Sequence, residues 1–178
     1  MRTTRAILAA EAPDAATRIV DNFRKTISLQ PNASIAGYWP FRDELDVRPL
    51  LTALAGRGHV IALPRVLGSR KPLQFHKWRR EDPLVVSVFG VMEPKAITAI
   101  ITPIVILVPL LAFDREGYRL GYGAGYYDMT LAALRRERPV NVVGIGYAGQ
   151  EVDRLPREPH DQRMDWIVTE KAARRMEG

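Results

Sequence analysis

The spacing of hydrophobic positions predicts three helices along the chain. In residues 13–29, apolar side chains recur three and four positions apart after a Pro-Asp start, which is the pattern of a helix with one buried face. A second helix is predicted within residues 41–58, with Asp46 as its N-terminal cap. The third follows a glycine-rich stretch and shares one apolar face among Tyr127, Leu131 and Leu134.

Short apolar runs between these helices predict six strands, at residues 35–39, 59–64, 73–78, 101–109, 141–147 and 165–170. The run at 101–109 is the most apolar, as expected of a central strand covered on both faces. Residues 81–94 show no clear period and are predicted to be irregular. A strand, a helix and a strand within residues 35–64 form a parallel crossover unit. The pattern therefore predicts an α/β fold: a single domain over residues 1–178, with a mostly parallel central sheet and helices on both faces. In such sheets, ligands bind beyond the carboxyl ends of the strands.

Composition narrows the class of protein but does not select a function. The 178 residues are 47% hydrophobic and contain no cysteine, which fits one packed domain and excludes disulfides and thiolate chemistry. The longest apolar run, residues 104–113, contains Pro109 and is shorter than the roughly 20 residues of a membrane span. We therefore expect a soluble, cytoplasmic protein with no membrane partner. The net charge of +6 suits either nucleic acid or a small polyanionic substrate.

The sequence contains two glycine-rich motifs that could bind phosphate. Gly144, Gly146 and Gly149 form a literal GxGxxG after a predicted strand. A dinucleotide fingerprint opens a helix, however, and the residues that follow contain Pro156 and Pro159 without helical periodicity. These glycines are therefore predicted to allow close packing and a turn.

The segment RLGYGAGYYD, residues 119–128, lies instead between the predicted central strand and a helix. Glycines at such a junction let bare backbone N–H groups converge on phosphate oxygens. The lysine and hydroxyl of a P-loop are absent, but Arg119 can neutralise phosphate and Asp128 can hold a magnesium ion. The alternative is a glycine-rich turn in which Arg119 and Asp128 merely pair with each other.

The longer stretch LVPLLAFDREGYRLGYGAGYYD resembles the signature of the 5-formyltetrahydrofolate cyclo-ligase family, also called methenyltetrahydrofolate synthetases. The resemblance extends from about residue 35 to residue 170. It includes, in order, the stretches YWPFRDELDVRPLL, VIALPRV, FGVMEP and GIGYAGQEVDRLPREPHDQRMDWIVTE. It implies the NagB/RpiA/CoA-transferase-like form of the α/β fold.

The resemblance also implies a reaction. Members close the ring of 5-formyltetrahydrofolate to give 5,10-methenyltetrahydrofolate, consuming ATP with Mg²⁺ and releasing ADP and phosphate. The γ-phosphoryl group is transferred to the formyl oxygen, and the neighbouring folate nitrogen then attacks the activated carbon. Such chemistry needs positioning and charge neutralisation more than a protein nucleophile.

Site residues follow from the resemblance position by position. The implied nucleotide-binding residues are Arg119, Leu120, Gly121, Tyr122, Gly123, Ala124, Gly125, Tyr126 and Tyr127. The implied substrate-binding residues are Trp39, Glu44, Tyr122, Gly123, Ala124, Gly125 and Tyr126. The implied catalytic residues are Arg119, Tyr126 and Asp128, and the implied magnesium ligands are Asp128 and Asp161.

Several of these side chains also admit a purely structural reading. Glu44 can lead the second helix, and Trp39 can belong to the core. Next to Asp161, His160 can assist proton movement or serve as a structural partner. Phe75 and Trp78 can line the folate pocket or bury an edge of the sheet. Arg65 can face a ligand or have an ordinary surface role.

The chain departs from the family pattern at cationic positions. The start MRTTRAIL aligns after the family's Lys-x-x-x-Arg element, so Arg2 and Arg5 are the candidate replacements for its phosphate contacts. Ala124 stands where some members have lysine, and Met129 where many have a basic residue. We therefore expect weaker ATP binding.

Two other functions remain open from the sequence. One is a diverged relative that acts on another formylated or amide-bearing metabolite, and the other is a basic nucleic-acid-binding domain, for which no recognisable motif is present. As partners we expect reduced folate and ATP rather than nucleic acid, with the chain a monomer or weak dimer.

Overall fold

In the computed structural model, which describes residues 1–176, four α-helices surround a twisted sheet. The helices are α1 (Arg2–Glu11), α2 (Ala15–Thr26), α3 (Arg48–Ala55) and α4 (Tyr126–Glu137). None of them, within the described residues, has the length and apolar character needed to cross a membrane.

The main sheet has seven strands in the order β12-β11-β9-β6-β1-β2-β3. These strands are β1 (Ser34–Ala36), β2 (Val60–Arg65), β3 (Gln74–Lys77), β6 (Val105–Pro109), β9 (Asn141–Ile145), β11 (Trp166–Val168) and β12 (Ala173–Arg175). The five inner strands are parallel, and the two edge strands, β3 and β12, are antiparallel to their neighbours. The apolar strand β6 occupies the centre, as its sequence predicts.

Alternate residues of the strands pack into two cores, one on each face of the sheet. Along β6, Val105 and Leu107 enter the core beneath α2 and α3, whereas Ile106 and Val108 enter the core beneath α4. All four are 4% exposed or less. The prediction of one α/β domain with a mostly parallel sheet and helices on both faces is confirmed.

Five further strands build two small sheets around the main one. These are the hairpin β4 (Leu84–Val86) with β5 (Met92–Pro94), and a three-stranded sheet of β7 (Ala112–Asp114), β8 (Arg119–Leu120) and β10 (Glu151–Val152). Local periodicity did not reveal these strands, because two or three residues are too few to show it.

The structure corrects the sequence analysis at four elements. Residues 81–94 form the β4–β5 hairpin rather than an irregular stretch, and β12 follows the strand expected to be the last. Helix α1 lies before the first predicted helix, and its Leu8 packs against the core. Helix α3 has Val47 at its N-cap; Asp46 instead accepts a hydrogen bond from the backbone of Arg48 (3.0 Å) and pairs with the Arg48 side chain.

The glycines of the GxGxxG sequence serve close packing. A Cβ atom on Gly144 would lie 2.6 Å from Ile167, and one on Gly146 or Gly149 would lie 2.6 Å from Leu110 or Leu8. Real Cβ contacts do not reach such distances, so these positions admit no side chain without rearrangement. The segment continues into a short 3₁₀ turn (Ala148–Gln150), not the long helix that a dinucleotide site requires.

We expect Gly144→Ala to destabilise the fold by about 1–3 kcal/mol, the usual cost of overpacking a filled core. The matched control is Gly121→Ala, since a Cβ there meets nothing within 4 Å and the backbone has no positive φ. Urea unfolding of both variants would measure the difference. Equal midpoints would contradict the packing argument.

Candidate active site

The glycine loop, residues 121–125, connects β8 to the first turn of α4 and is open to solvent. A Cβ built on Gly121, Gly123 or Gly125 would meet no atom within 4 Å. Gly123 (φ 91°) and Gly125 (φ 66°) adopt left-handed backbone conformations that favour glycine. The loop therefore presents bare backbone beside the N-terminus of a 12-residue helix, an arrangement suited to an anion.

An ion pair closes the base of this loop. Nη2 of Arg119 lies 3.0 Å from Oδ1 of Asp128, and the Arg119 side chain is only 5% exposed. A third residue ties the pair to a distant part of the chain, because Gln162 accepts from Arg119 through its carbonyl oxygen (2.9 Å) and donates its N–H to Asp128 (3.0 Å). Arg119 and Asp128 therefore do pair, as expected for a glycine-rich turn. The loop that they hold is nevertheless exposed to solvent.

The two carboxylates proposed to bind magnesium come from segments that meet. Asp161 directly precedes Gln162, whose backbone N–H binds Asp128. Oδ2 of Asp161 accepts from the Glu158 backbone (2.8 Å), and Oδ1 of Asp128 accepts from Gln162. The other oxygen of each aspartate has no hydrogen bond to a described residue. No group of three or more His, Cys, Asp or Glu in residues 1–176 forms a cage for a metal. Two carboxylates with free oxygens still fit Mg²⁺, which commonly takes one or two protein ligands and completes its shell with water and phosphate.

Glu44 lies beyond the carboxyl end of β1, the strand next to β6. Its side chain is 6% exposed, and Oε2 accepts a hydrogen bond from the Phe41 backbone (2.9 Å). Oε1 has no hydrogen bond to a described residue and lies 3.7 Å from Nη1 of Arg5. Burial raises the pKa of Glu44 from 4.5 to about 7, against the opposing effects of the Phe41 N–H and the Arg5 charge. A carboxylate held at this cost is a strong candidate for a functional group.

Tyr122 brings the glycine loop and Glu44 together. Its hydroxyl accepts a hydrogen bond from Nη2 of Arg5, and its ring packs edge-on against Phe41 with centroids 6.2 Å apart. The guanidinium of Arg2 lies 5.3 Å from the same ring. The sequence-predicted loop and the sequence-predicted carboxylate therefore belong to one site, at the carboxyl ends of β1 and β6.

Tyr126 and Tyr127, at the start of α4, face different surroundings. Tyr126 packs edge-on against Phe89 at the tip of the β4–β5 hairpin, with centroids 6.1 Å apart. Tyr127 packs beneath α4, and burial, with the nearby Glu44 charge, raises the pKa of its hydroxyl. Both tyrosines are partly buried, and Tyr126 is the one that contacts the exposed ring of Phe89.

The remaining predicted residues have mainly structural surroundings. Trp39 is half-buried and packs edge-on against Trp78 at 5.9 Å, with no ring contact to the glycine loop among the described residues. Phe75 and Trp78 are buried. Arg65 donates to the carbonyl of Pro94, and His160 is exposed beside Glu158 (3.3 Å).

Four residues of the site were not singled out from the sequence: Phe41, Asp43, Phe89 and Gln162. Phe41 and Asp43 precede Glu44 by only a few positions, and Gln162 follows Asp161. Proximity to a candidate residue was the available signal for these three. Phe89 begins the stretch FGVMEP that belongs to the family resemblance, but the hairpin that presents its ring was not predicted, so it was not identified as a site residue.

A buried amide fixes the turn that leads from β6 into this region. Nε2 of Gln150 donates to the carbonyls of Leu110 (2.9 Å) and Leu111 (3.0 Å), while Oε1 accepts from the Tyr147 backbone (2.7 Å). Gln150 is 2% exposed. Its place in the stretch GIGYAGQEVDRLPREPHDQRMDWIVTE is therefore explained by the backbone groups that it satisfies.

Comparison with known proteins identifies relatives of this arrangement. The family model described as the 5-formyltetrahydrofolate cyclo-ligase family matches residues 1–170. A 5-formyltetrahydrofolate cyclo-ligase of Mycolicibacterium smegmatis is 36% identical over 78% of this chain and 74% of its own length. One from Escherichia coli strain K12 is 33% identical over 76% of this chain and 77% of its own length.

Solved structures agree with these sequence relatives. The NMR structure of Aquifex aeolicus 5,10-methenyltetrahydrofolate synthetase superposes with a TM-score of 0.76 and 29% identity, covering 99% of this chain and 93% of that one. A Mycoplasma pneumoniae 5,10-methenyltetrahydrofolate synthetase, 22% identical with a TM-score of 0.70 over 95% of this chain and 98% of that one, shares the fold. The chain belongs to the 5-formyltetrahydrofolate cyclo-ligase family.

Proposed function

We propose that this protein converts 5-formyltetrahydrofolate and ATP to 5,10-methenyltetrahydrofolate, ADP and phosphate in a magnesium-dependent reaction. Family membership supports the reaction class. The observation that carries the proposal in this chain is the meeting of an exposed glycine loop and a buried carboxylate through Tyr122 and Arg5. A cytoplasmic location belongs to the same proposal.

Each half of the site suits one substrate. The backbone N–H groups of residues 121–125 and the N-terminus of α4 offer positive partial charge to a triphosphate. Glu44 offers a carboxylate oxygen to the N–H donors of a pterin ring, and such bonds to a charged group are the stronger kind. Asp128 and Asp161 would hold Mg²⁺, which neutralises phosphate charge when bound.

The proposed chemistry needs positioning above all. The γ-phosphoryl group leaves the β-phosphate of ATP and bonds to the formyl oxygen, which turns that oxygen into part of a good leaving group. The neighbouring folate nitrogen then bonds to the formyl carbon and loses its proton, while the C–O bond breaks and phosphate departs. The protein lowers the barrier by holding the two substrates in line and by compensating charge.

A direct assay tests the proposal. The folded protein is mixed with 5-formyltetrahydrofolate, Mg²⁺ and ATP, and the near-ultraviolet absorbance of the methenyl product is followed, with omission of ATP and of Mg²⁺ as controls. We expect product only in the complete mixture. Folded protein that binds ATP but forms no product would favour a relative with another formylated or amide-bearing substrate.

Ala124→Lys is expected to tighten binding of Mg²⁺-ATP by roughly ten- to a hundredfold, since a hydrogen bond to a charged group contributes about 1.5–3 kcal/mol. Ala124 is exposed in the glycine loop, where a cation can reach phosphate. The control is Gln30→Lys, which adds the same charge at an exposed position before the amino end of β1, whereas the site lies beyond the carboxyl end of that strand. Calorimetry measures both affinities, and equal tightening would mean that only net charge matters.

A further inference from the structure

Arg5 is a buried arginine that joins the N-terminal helix to both halves of the site. Its side chain is 2% exposed and extends from α1. A guanidinium carries five N–H donors in a fixed plane, and burying it is costly unless those donors are used. The partners of Arg5 therefore indicate its purpose.

Three side chains surround the Arg5 guanidinium, and two of them belong to the proposed substrate contacts. Nε donates to Oδ2 of Asp43 (2.9 Å), and Nη2 donates to the hydroxyl of Tyr122 in the glycine loop. Nη1 faces Oε1 of Glu44 at 3.7 Å, too long for a hydrogen bond. Nη1 is fully buried and has no hydrogen-bond partner among the described residues.

This geometry leaves one oxygen of Glu44 without a hydrogen bond to a described residue. Its Oε2 already accepts from Phe41, whereas Oε1 accepts from no described residue although a positive charge lies 3.7 Å away. An arginine placed to stabilise the fold alone would be expected to donate directly to that oxygen. The arrangement instead keeps one carboxylate oxygen free for a donor on a ligand.

We propose that Arg5 is a positioning residue for the folate side of the site, which favours the ionised form of Glu44 as an acceptor and fixes the Tyr122 hydroxyl on the same guanidinium. This proposal rests on the proposed function. It differs from a role of Arg5 at the ATP phosphates, because its donors are directed at Asp43, Tyr122 and Glu44.

The charges around Glu44 make the proposal testable through pH. The groups that face it are Arg5, which favours the ionised form; Asp43, which disfavours it; and the phenols of Tyr38 and Tyr127, whose raised pKa values keep them neutral near pH 7. Wild-type folate affinity is expected to fall as the pH drops below about 7, where Glu44 becomes protonated. Removing Arg5 should move this midpoint to higher pH, and neutralising Asp43 should move it to lower pH.

The experiment measures the Kd of 5-formyltetrahydrofolate by calorimetry across neutral pH for four proteins: wild type, Arg5→Met, Asp43→Asn and Arg5→Lys. For Arg5→Met we expect affinity to fall at least about tenfold and the midpoint to shift alkaline. Arg5→Lys should restore the midpoint without restoring full affinity, since lysine keeps the charge but not the fork that reaches Tyr122. Asp43→Asn should shift the midpoint acidic.

The control is Arg18→Met, which removes an arginine from an exposed ion pair with Asp14 (2.7 Å) on α2. It should change neither Kd nor midpoint. If Arg5→Met does not fold, two other variants test the proposal. Asp43→Asn should shift the midpoint to lower pH, and Tyr122→Phe should weaken folate binding without moving the midpoint.

A wild-type midpoint that Arg5→Met and Asp43→Asn both leave unchanged would overturn the proposal, because folate binding would then not depend on the control of Glu44 protonation by Arg5. Failure of the proposed function looks different: wild-type protein would then form no methenyl product at all.

Discussion

Replacing Glu44 with glutamine is expected to raise the KM for 5-formyltetrahydrofolate by roughly ten- to a hundredfold, with a much smaller change in the KM for ATP. The reason is that glutamine keeps the shape of the side chain but loses the negative charge that strengthens hydrogen bonds from the pterin, a difference of about 1.5–3 kcal/mol. Steady-state kinetics with each substrate varied in turn measures the split.

Glu93→Gln is a close control. Glu93 is also buried, accepts a hydrogen bond from a backbone N–H (Val66, 3.1 Å), and lies 3.9 Å from an arginine, Arg65. It differs from Glu44 in its arginine: Arg5 beside Glu44 also binds Tyr122 of the glycine loop, whereas Arg65 beside Glu93 donates to the carbonyl of Pro94. An equal rise in the folate KM for both variants would contradict the assignment of Glu44 to the substrate.

Although Glu44→Gln is expected to weaken folate binding, it should stabilise the fold at neutral and alkaline pH. Because the pKa of Glu44 is raised from 4.5 to about 7, the folded protein binds this proton more tightly than the unfolded chain does. The stabilising contribution of the proton is complete below the unfolded pKa of 4.5 and is lost as the pH rises to about 7. Glu44→Gln should therefore raise Tm relative to wild type above about pH 7 and not at acidic pH, which thermal unfolding at both ends of this range would show. A variant that is more stable and less active would identify Glu44 as a residue kept for function.

Asp128→Asn is expected to lower kcat by roughly 100- to 1000-fold, the size of effect seen when one preorganised electrostatic group is removed from an active site. Two losses combine in this variant. The proposed magnesium site loses one of two carboxylates, and the buried Arg119 loses an ion pair of 3.0 Å. The apparent affinity for Mg²⁺ should fall as well, and a Mg²⁺ titration of the rate would show it.

Asp165→Asn is the control for the loss of an ion pair without the loss of a proposed magnesium ligand. Asp165 pairs with Arg135 of α4 (3.1 Å), so its replacement also breaks an ion pair on the same helix, but away from the glycine loop. We expect this control to lose some stability and to keep the Mg²⁺ dependence of the wild type. Asp161→Asn should resemble Asp128→Asn in its Mg²⁺ titration. A normal titration for both would exclude these aspartates as metal ligands.

The sequence alone determined that a mostly parallel sheet has helices on both faces and that the glycine loop immediately precedes a helix. The hydrophobic pattern predicted an element correctly where a strand is buried on both faces, as β6 is. It also did so where a helix buries one apolar face, as α2 and α4 do. The rejection of GxGxxG as a dinucleotide site was also available from sequence, because Pro156 and Pro159 interrupt the helix that such a site needs. Each of these conclusions depends on neighbours in the chain.

Only the tertiary structure decided how the site is assembled. Arg5, Glu44 and Tyr122 lie far apart in sequence and meet because α1, the end of β1 and the glycine loop converge on one edge of the sheet. The raised pKa of Glu44 likewise results from burial by residues that no local pattern identifies. Residue type and spacing state which groups are available; their distances, their burial and the one oxygen left without a partner depend on packing between distant segments.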